Sequence, residues 1–408
     1  MAAVLLIAGD ALGCLCSLEC LAGNEEPLPM GWRVNLFVSS PNTPPTALGM
    51  HTGALRQLLS PLASSAHKGQ NGRVGVIGGC LQYTGAPYYA ASAALNLGAD
   101  LAYIFCTPDA AIPIKCYSPE LIVLPFLVPQ NSLATTIPDA EMESHSAVAW
   151  EKIKNHFSPL HSLVIGPGLG RDPFVLRTVE LILEHSRTMS VPVVCDGDCL
   201  YHIARQPQLV KNSPLFLLTP NIREFYLLLL TFLTEEEARS VISPNSSPED
   251  ERLHRLQRAG IQLVEQLNGP SILLKGEVDL FFPAHAQSAC HSMAEDRSTA
   301  SSCLLLEVDE LSSRVRCGGQ GDIVAGLCGS IMAQYVGRYG QEGCADQRQW
   351  ADALLEMVQG ASSITRKAAY LAYIEYGRSS NASRILDCIP AALRAAGLLH
   401  HGDLADDG

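Results

Sequence analysis

Basic residues are scarce in this chain: 28 Lys and Arg stand against 41 Asp and Glu, a net charge of −13. That balance argues against a general binder of nucleic acid or anionic membrane. An anionic ligand must then be held locally, by backbone amides and a few cationic side chains. Charged residues of either sign make up only 17% of the 408 residues, against 47% hydrophobic, the composition of a globular protein with a substantial core. No G-x-x-x-x-G-K-[ST] occurs, which excludes a Walker-type nucleotide site. Gly166-x-Gly168-x-Gly170 has neither the G-x-G-x-x-G spacing nor a suitably placed acid downstream, so a dinucleotide fingerprint is weak as well.

The fourteen cysteines show no repeated C-x-x-C spacing, and no Cys/His cluster has metal-ligand spacing. They read as reduced, mostly buried thiols of an intracellular protein, with a disulfide framework or zinc site as the weaker alternative. No Lys or Arg precedes Arg33, and the apolar stretch Ala2 to Ala22 is broken by Asp10, Gly13 and Glu19. A secretory signal, a transit peptide and a transmembrane span all fit poorly. Residues 1–50 are expected to form a poorly ordered extension ahead of one catalytic domain over 51–400. The expected location is cytoplasmic; a mitochondrial one lacks the transit-peptide pattern.

From about Ser65 onward, short apolar runs alternate with longer helical patterns. Strand-like runs fall at Arg73–Gly78, Leu101–Cys106, Leu121–Pro125, Leu163–Gly166, Pro192–Asp196, Leu215–Thr219 and Ile272–Lys275. Helical patterns fall at Ala86–Leu97, Pro173–His185, Arg223–Phe232, Glu249–Leu267, Asp322–Tyr335 and Trp350–Tyr376. Continuous Val/Ile/Leu strands separated by helices predict an α/β fold with a mostly parallel sheet covered on both faces. Thr234–Glu251 and Ala284–Ser302 are polar and weakly periodic, and read as surface insertions. Ligands belong at the carboxyl ends of the strands. There stand Gly78-Gly79, Gly166 to Asp172, Asp196-Gly197-Asp198 and Thr219-Pro220-Asn221, although each loop alone also reads as an ordinary βα turn. Asp196 and Asp198 are equally compatible with helix capping, Lys275 with a strand-end surface lysine, and His67 with a turn.

The stretch with most chemistry is Arg316-Cys317-Gly318-Gly319-Gln320-Gly321-Asp322, followed by the apolar run Ile323 to Leu327. Glycines let a backbone approach an anion, and a helix opening directly afterwards aims free N–H groups and its positive end at phosphate. A carboxylate at the lip of such a cradle repels phosphate but can take a proton from an attacking hydroxyl. A glycine turn with Asp322 as an ordinary helix cap accounts for the same loop on its own. Cys317 reads as a small packing residue, since no His accompanies it.

The wider pattern separates these readings. His67 to Gly79, Tyr83-Thr84-Gly85-Ala86-Pro87-Tyr88, Gly98-Ala99-Asp100-Leu101 and Tyr117 to Val123 precede Gly166 to Asp172 and Leu218 to Asn221. Lys275 to Asp279, the glycine loop, Ile364-Thr365-Arg366 and Gly377-Arg378-Ser379-Ser380 follow. Together, from about Leu55 to Ala395, they resemble the ATP-dependent (or ADP-dependent) NAD(P)H-hydrate dehydratases, a ribokinase-like family. The resemblance implies a ribokinase-like three-layer fold and ATP-dependent dehydration of the hydrated (6-hydroxy) forms of NADH and NADPH. ADP and phosphate are released, the hydroxyl being phosphorylated first because hydroxide leaves poorly. Asp322 is implied as the catalytic base. Gly168, Asn221, Ile222, Arg223, Glu224, Phe225, Tyr226, Leu227 and Asp322 are implied for the hydrate. For ATP the implied residues are Lys275, Gly276, Glu277, Val278 and Asp279, with Ser312, Ser313, Arg314, Val315, Arg316, Cys317, Gly318, Gly319, Gln320 and Gly321. Mg²⁺ is implied with the ATP, without direct side-chain ligation. Partners are small molecules only, with self-association left open.

Two departures stand out. The family usually has His after the Asn of Thr-Pro-Asn, where this chain has Ile222, and the segment Ser380 to Arg384 lacks the family's threonines and Asp-Met pair. A thiazole-type or pyrimidine-alcohol kinase of the same fold would share the Asp322 loop. A catalytically silent nucleotide-binding protein is the other alternative.

Overall fold

The computed structural model describes Leu59 and residues 68–130, 139–243, 249–284, 306–308 and 312–398. The extension over residues 1–50 and His67 lie outside them, as does nearly all of Ala284–Ser302. Nine strands form one sheet: β1 (Arg73–Ile77), β2 (Leu101–Phe105), β3 (Ile122–Leu124), β4 (Ser162–Ile165), β5 (Val193–Cys195), β6 (Phe216–Leu218), β7 (Ser271–Leu274), β8 (Asp279–Phe282) and β9 (Leu306–Val308). Their order is 3-2-1-4-5-6-7-8-9. The first seven strands are parallel, and β7–β8 and β8–β9 pair antiparallel. The two antiparallel strands were not expected from the sequence: β8 follows β7 after only four residues, and β9 is three residues long.

Twelve helices complete the described residues. They are α1 (Gly85–Asn96), α2 (Pro108–Tyr117), α3 (Asp139–Lys154), α4 (Pro173–Thr188), α5 (Asp198–Arg205), α6 (Ile222–Leu229), α7 (Glu235–Ile242), α8 (Glu249–Leu267), α9 (Gln320–Tyr339), α10 (Glu342–Ala345), α11 (Gln347–Tyr376) and α12 (Ala382–Ala395). Thr234–Glu251 is therefore partly helical, in contrast to the insertion expected there. Thr234 and Glu237 form a capping box that starts α7, a local signal that outweighs weak periodicity.

Strand alternation divides the core in two. β4 sends Leu163 and Ile165 to one face, with apolar residues of α4, α5, α6 and α8, and Val164 to the other, with those of α1, α9, α11 and α12. Helix α9 is buried on nearly all sides from Ile323 to Val336, as a helix apolar all round should be. Its start is thereby pinned, and Asp322 with it.

The chain runs from β1 outward to β3 and resumes with β4 on the other side of β1. This is a topological switch point, with the carboxyl ends of all seven parallel strands along one edge. The Gly98-Ala99-Asp100 motif is structural: Asp100 accepts from the N–H groups of Gly69 (2.7 Å) and Asn71 (3.0 Å), closing the turn ahead of β1.

Candidate active site

Three strand ends meet under the glycine loop. Asp196, at the end of β5, is 3% exposed. Its Oδ1 accepts from Thr219 Oγ1 after β6 (3.0 Å) and from Lys275 Nζ after β7 (2.5 Å). The Lys275 N–H donates to Pro220 O at 2.8 Å, so the last two strand ends are also joined through the backbone. Asn221 caps α6, accepting from the N–H groups of Arg223 (2.9 Å) and Glu224 (3.0 Å). Glu224 Oε2 accepts in return from the Asn221 N–H at 2.8 Å.

Gly319 enters α9 with φ of 96°, a left-handed conformation that suits glycine and turns the following amides toward one point. A Cβ placed on Gly321 would lie 3.1 Å from Lys275 Nζ, so the ammonium sits directly against the loop. Asp322, three residues into the turn, completes a group of three carboxylates around one ammonium. Burial, with repulsion from Asp196 and Glu224, pushes the Asp322 carboxyl up to about 7 against the pull of Lys275. Burial likewise raises Glu224. Burial works against the charge on Lys275, but Asp196, Glu224 and Asp322 outweigh it and the ammonium is held above its ordinary range.

The Lys275–Asp279 loop is braced from α11. Asp279, buried, accepts from Gly276 N–H (2.8 Å), Ser362 Oγ (2.5 Å) and Arg366 Nε (3.0 Å). Arg366 also donates to the carbonyls of Glu277 (2.8 Å) and Gly276 (3.1 Å). One buried guanidinium therefore sets the shape of the turn.

These groups line a cavity of about 800 Å³. Of the residues named from the sequence it gathers Asn221, Glu224, Lys275, Gly276, Glu277, Asp279, Ser312 to Arg314 and Arg316 to Asp322. Val278 and Val315 are not among its lining residues, nor are Gly168 and the remaining residues of Asn221–Leu227. Phe225 is fully buried, and Ile222 and Tyr226 pack against the same apolar cluster, as helical spacing requires once Asn221 and Glu224 face the cavity. Gly168 lies on the β4 side, in a loop whose Gly170 N–H donates to Asp198 at 3.0 Å.

Sequence reasoning left Asp196, Thr219, Ser362 and Arg366 out of the site. The signal for Asp196 was its place at the end of an apolar strand. Arg366, on α11 far along the chain, stood in the Ile364-Thr365-Arg366 motif but was given no role, and for Ser362 there was no local signal. Among the described residues nine cysteines are free, most of them buried, and burial pushes Cys106 up to about 12. No helix among the described residues is long and apolar enough to cross a membrane.

A family model described as NAD(P)H-hydrate dehydratase matches residues 74–391. The ATP-dependent (S)-NAD(P)H-hydrate dehydratase of Pongo abelii is 36% identical over 338 residues, covering 83% of this chain and 86% of that protein. The protein of the same description from Batrachochytrium dendrobatidis is 36% identical over 331 residues, covering 81% and 93%. Among solved structures, the ADP/ATP-dependent NAD(P)H-hydrate dehydratase of Bacillus subtilis, co-crystallized with ATP/Mg²⁺, is similar over 83% of this chain and 96% of that one. Its TM-score is 0.53 at 17% identity. A ribokinase-like superfamily protein of Enterococcus faecalis covers 84% and 94%, with a TM-score of 0.50 at 17% identity. At that identity the two structures speak for the fold, which is ribokinase-like.

Proposed function

The chain belongs to the NAD(P)H-hydrate dehydratase family, and from that premise we propose how its cavity works. The protein is an ATP-dependent hydro-lyase that returns hydrated (6-hydroxy) NADH and NADPH to the normal cofactors, with release of ADP and phosphate. The curated relatives are named for the S form of the hydrate, and that epimer is the substrate here as well.

The observation that carries the site assignment is the placement of Asp322 at the start of a buried helix, beside the left-handed Gly319 and in one cavity with Lys275. Hydroxide is a poor leaving group, so the ring hydroxyl must first become a phosphate ester. Asp322 takes the hydroxyl proton as the oxygen attacks the terminal phosphorus of ATP. A carboxyl that titrates near 7 is matched to that task at neutral pH. The amides of the Gly318–Gly321 loop and the Lys275 ammonium face the charge that builds on the transferring group. Phosphate then leaves with the electron pair of the C–O bond while the neighbouring ring carbon gives up a proton to the released phosphate or to water, which restores the ring double bond. Ser312 to Arg316 and the braced Lys275–Asp279 turn hold the rest of the ATP.

Mg²⁺ fits the donor set. Asp196 and Glu224, which line the cavity, would be the hard carboxylates to hold such an ion, a departure from the expectation of no direct side-chain ligation. When bound, it neutralises phosphate charge in a site that already holds three acids.

Incubation with ATP and hydrated NADH, followed at the absorbance band of reduced nicotinamide, tests the reading. Recovery of the band with release of phosphate is expected. A stable phosphorylated product would identify a small-molecule kinase, and no change at all would identify a silent nucleotide-binding protein.

A further inference from the structure

The cavity leaves part of the substrate without a place. Its described lining residues come from the ends of β5, β6 and β7, from the turn after β7 and from the glycine loop and α11, which is the side where ATP lies in the reading above. A dinucleotide carries two planar ring systems, and only the reacting one meets Asp322. The other must rest elsewhere, on a surface continuous with the glycine loop.

Such a surface runs from Gly319 toward the ends of β1 and β2. A Cβ on Gly319 would come within 2.8 Å of the Tyr89 ring, so that ring abuts the loop at its left-handed residue. Tyr88 is 5.4 Å from Tyr89 and 5.4 Å from Tyr117, centroid to centroid. Tyr117 hydroxyl and Thr84 Oγ1 are 2.8 Å apart, which fixes the orientation of a ring that is 47% exposed. Tyr83, 60% exposed, stands on the turn after β1, and a Cβ on Gly168 would lie 2.9 Å from the Tyr83 Cβ. The loop at Gly168, expected to meet the hydrate, and the glycine loop at Gly319, expected to hold ATP ahead of Asp322, are thus bridged by one tyrosine-bearing segment. A large exposed ring held in place by its neighbours, as Tyr117 is by Thr84 and Tyr88, costs little entropy to use as a stacking surface.

We infer that the exposed rings of Tyr83 and Tyr117 form the platform on which the adenine half of the dinucleotide substrate rests. The inference builds on the dehydratase reading and adds a substrate-specificity surface beside the glycine loop. Base stacking on an aromatic side chain is worth about tenfold or more in binding.

Kinetics of Tyr83→Ala, Tyr117→Ala and Tyr117→Phe test it. In each alanine variant KM for hydrated NADH should rise about tenfold while kcat stays within about twofold, and Tyr117→Phe should restore KM. The ratio of kcat/KM for hydrated NADH to that for hydrated reduced nicotinamide mononucleotide, which lacks the adenylate, should fall about tenfold. An unchanged KM, an equal loss with both substrates, or a change of oligomeric state by sedimentation in place of the KM effect would overturn the platform. A wild-type protein that does not turn over hydrated NADH would sink the dehydratase reading instead. Fluorescence titration with NADH in the absence of ATP would still test the platform, which requires weaker binding in both alanine variants.

Discussion

Lys275 Nζ donates to Asp196 Oδ1 at 2.5 Å across the end of the strand that separates them, and the ammonium also lies against the loop that carries Asp322. A single cation serves three acids. Asp196 holds it in place, and the acid left least compensated is the one at the helix start.

That imbalance has a stability consequence. The Asp322 carboxyl titrates near 7 in the folded protein against 3.8 for an unperturbed group. Because the folded pKa is raised, the associated stability is fully present below pH 3.8 and is lost as pH rises through 7. Asp322→Asn should therefore melt higher than wild type at pH 8, with the gap closing toward pH 5. Scanning calorimetry at the two pH values checks this, and equal melting temperatures at pH 8 would contradict it.

The acid limb of kcat/KM should fall near pH 7, activity rising with pH as Asp322 loses its proton. Repulsion from Asp196 is one cause of that position, so Asp196→Asn should move the limb to lower pH. An asparagine oxygen can still accept from Thr219 and Lys275. A limb that stays in place would show that Asp196 does not set the titration of Asp322.

Two adjacent glycines should behave differently. A Cβ at Gly318 meets nothing within 4 Å, whereas at Gly319 it meets Ala382 Cβ at 2.7 Å and the backbone has φ of 96°. Gly318→Ala should cost no more than about 0.5 kcal/mol of stability. Gly319→Ala should lose on the order of 1–3 kcal/mol together with most of the activity. Chemical denaturation of both variants, with rates alongside, reads the difference.

Arg366 should control ATP rather than the hydrate. Arg366→Lys keeps the charge but cannot reproduce the fork that ties Asp279 to the Gly276 and Glu277 carbonyls. KM for ATP should rise more than KM for the hydrate. Arg366→Ala, which leaves Asp279 buried without its cation, should lose on the order of 3–5 kcal/mol of stability.

The parallel sheet was legible because its strands are uninterrupted apolar runs, and the glycine loop because Gly-Gly-Gln-Gly-Asp joins an irregular turn to a buried helix within a few residues. Helices α2, α3, α5, α7, α10 and α12 were missed. Most are short or carry internal proline, as at Pro113 and Pro390, while α3, at 16 residues, is rich in charged and small residues. Their apolar faces mean nothing until the sheet they cover is in place. The candidate site was half legible for the same reason. Asn221, Glu224, Lys275 and Asp322 stand on motifs, while the work of Asp196, Ser362 and Arg366 depends on distances across the sheet that no local pattern encodes. Phe225 shows the converse, since a residue inside a motif can belong to the core.

The most direct test of the account is the turnover of Asp322→Asn with ATP and hydrated NADH, measured at the reduced-nicotinamide band beside its affinity for ATP. Removing a general base from an otherwise intact loop should lower the rate by about 10²–10⁴-fold while ATP binds nearly as before. A variant that keeps more than about a third of the wild-type rate would contradict the role of Asp322 and with it the mechanism built on this cavity.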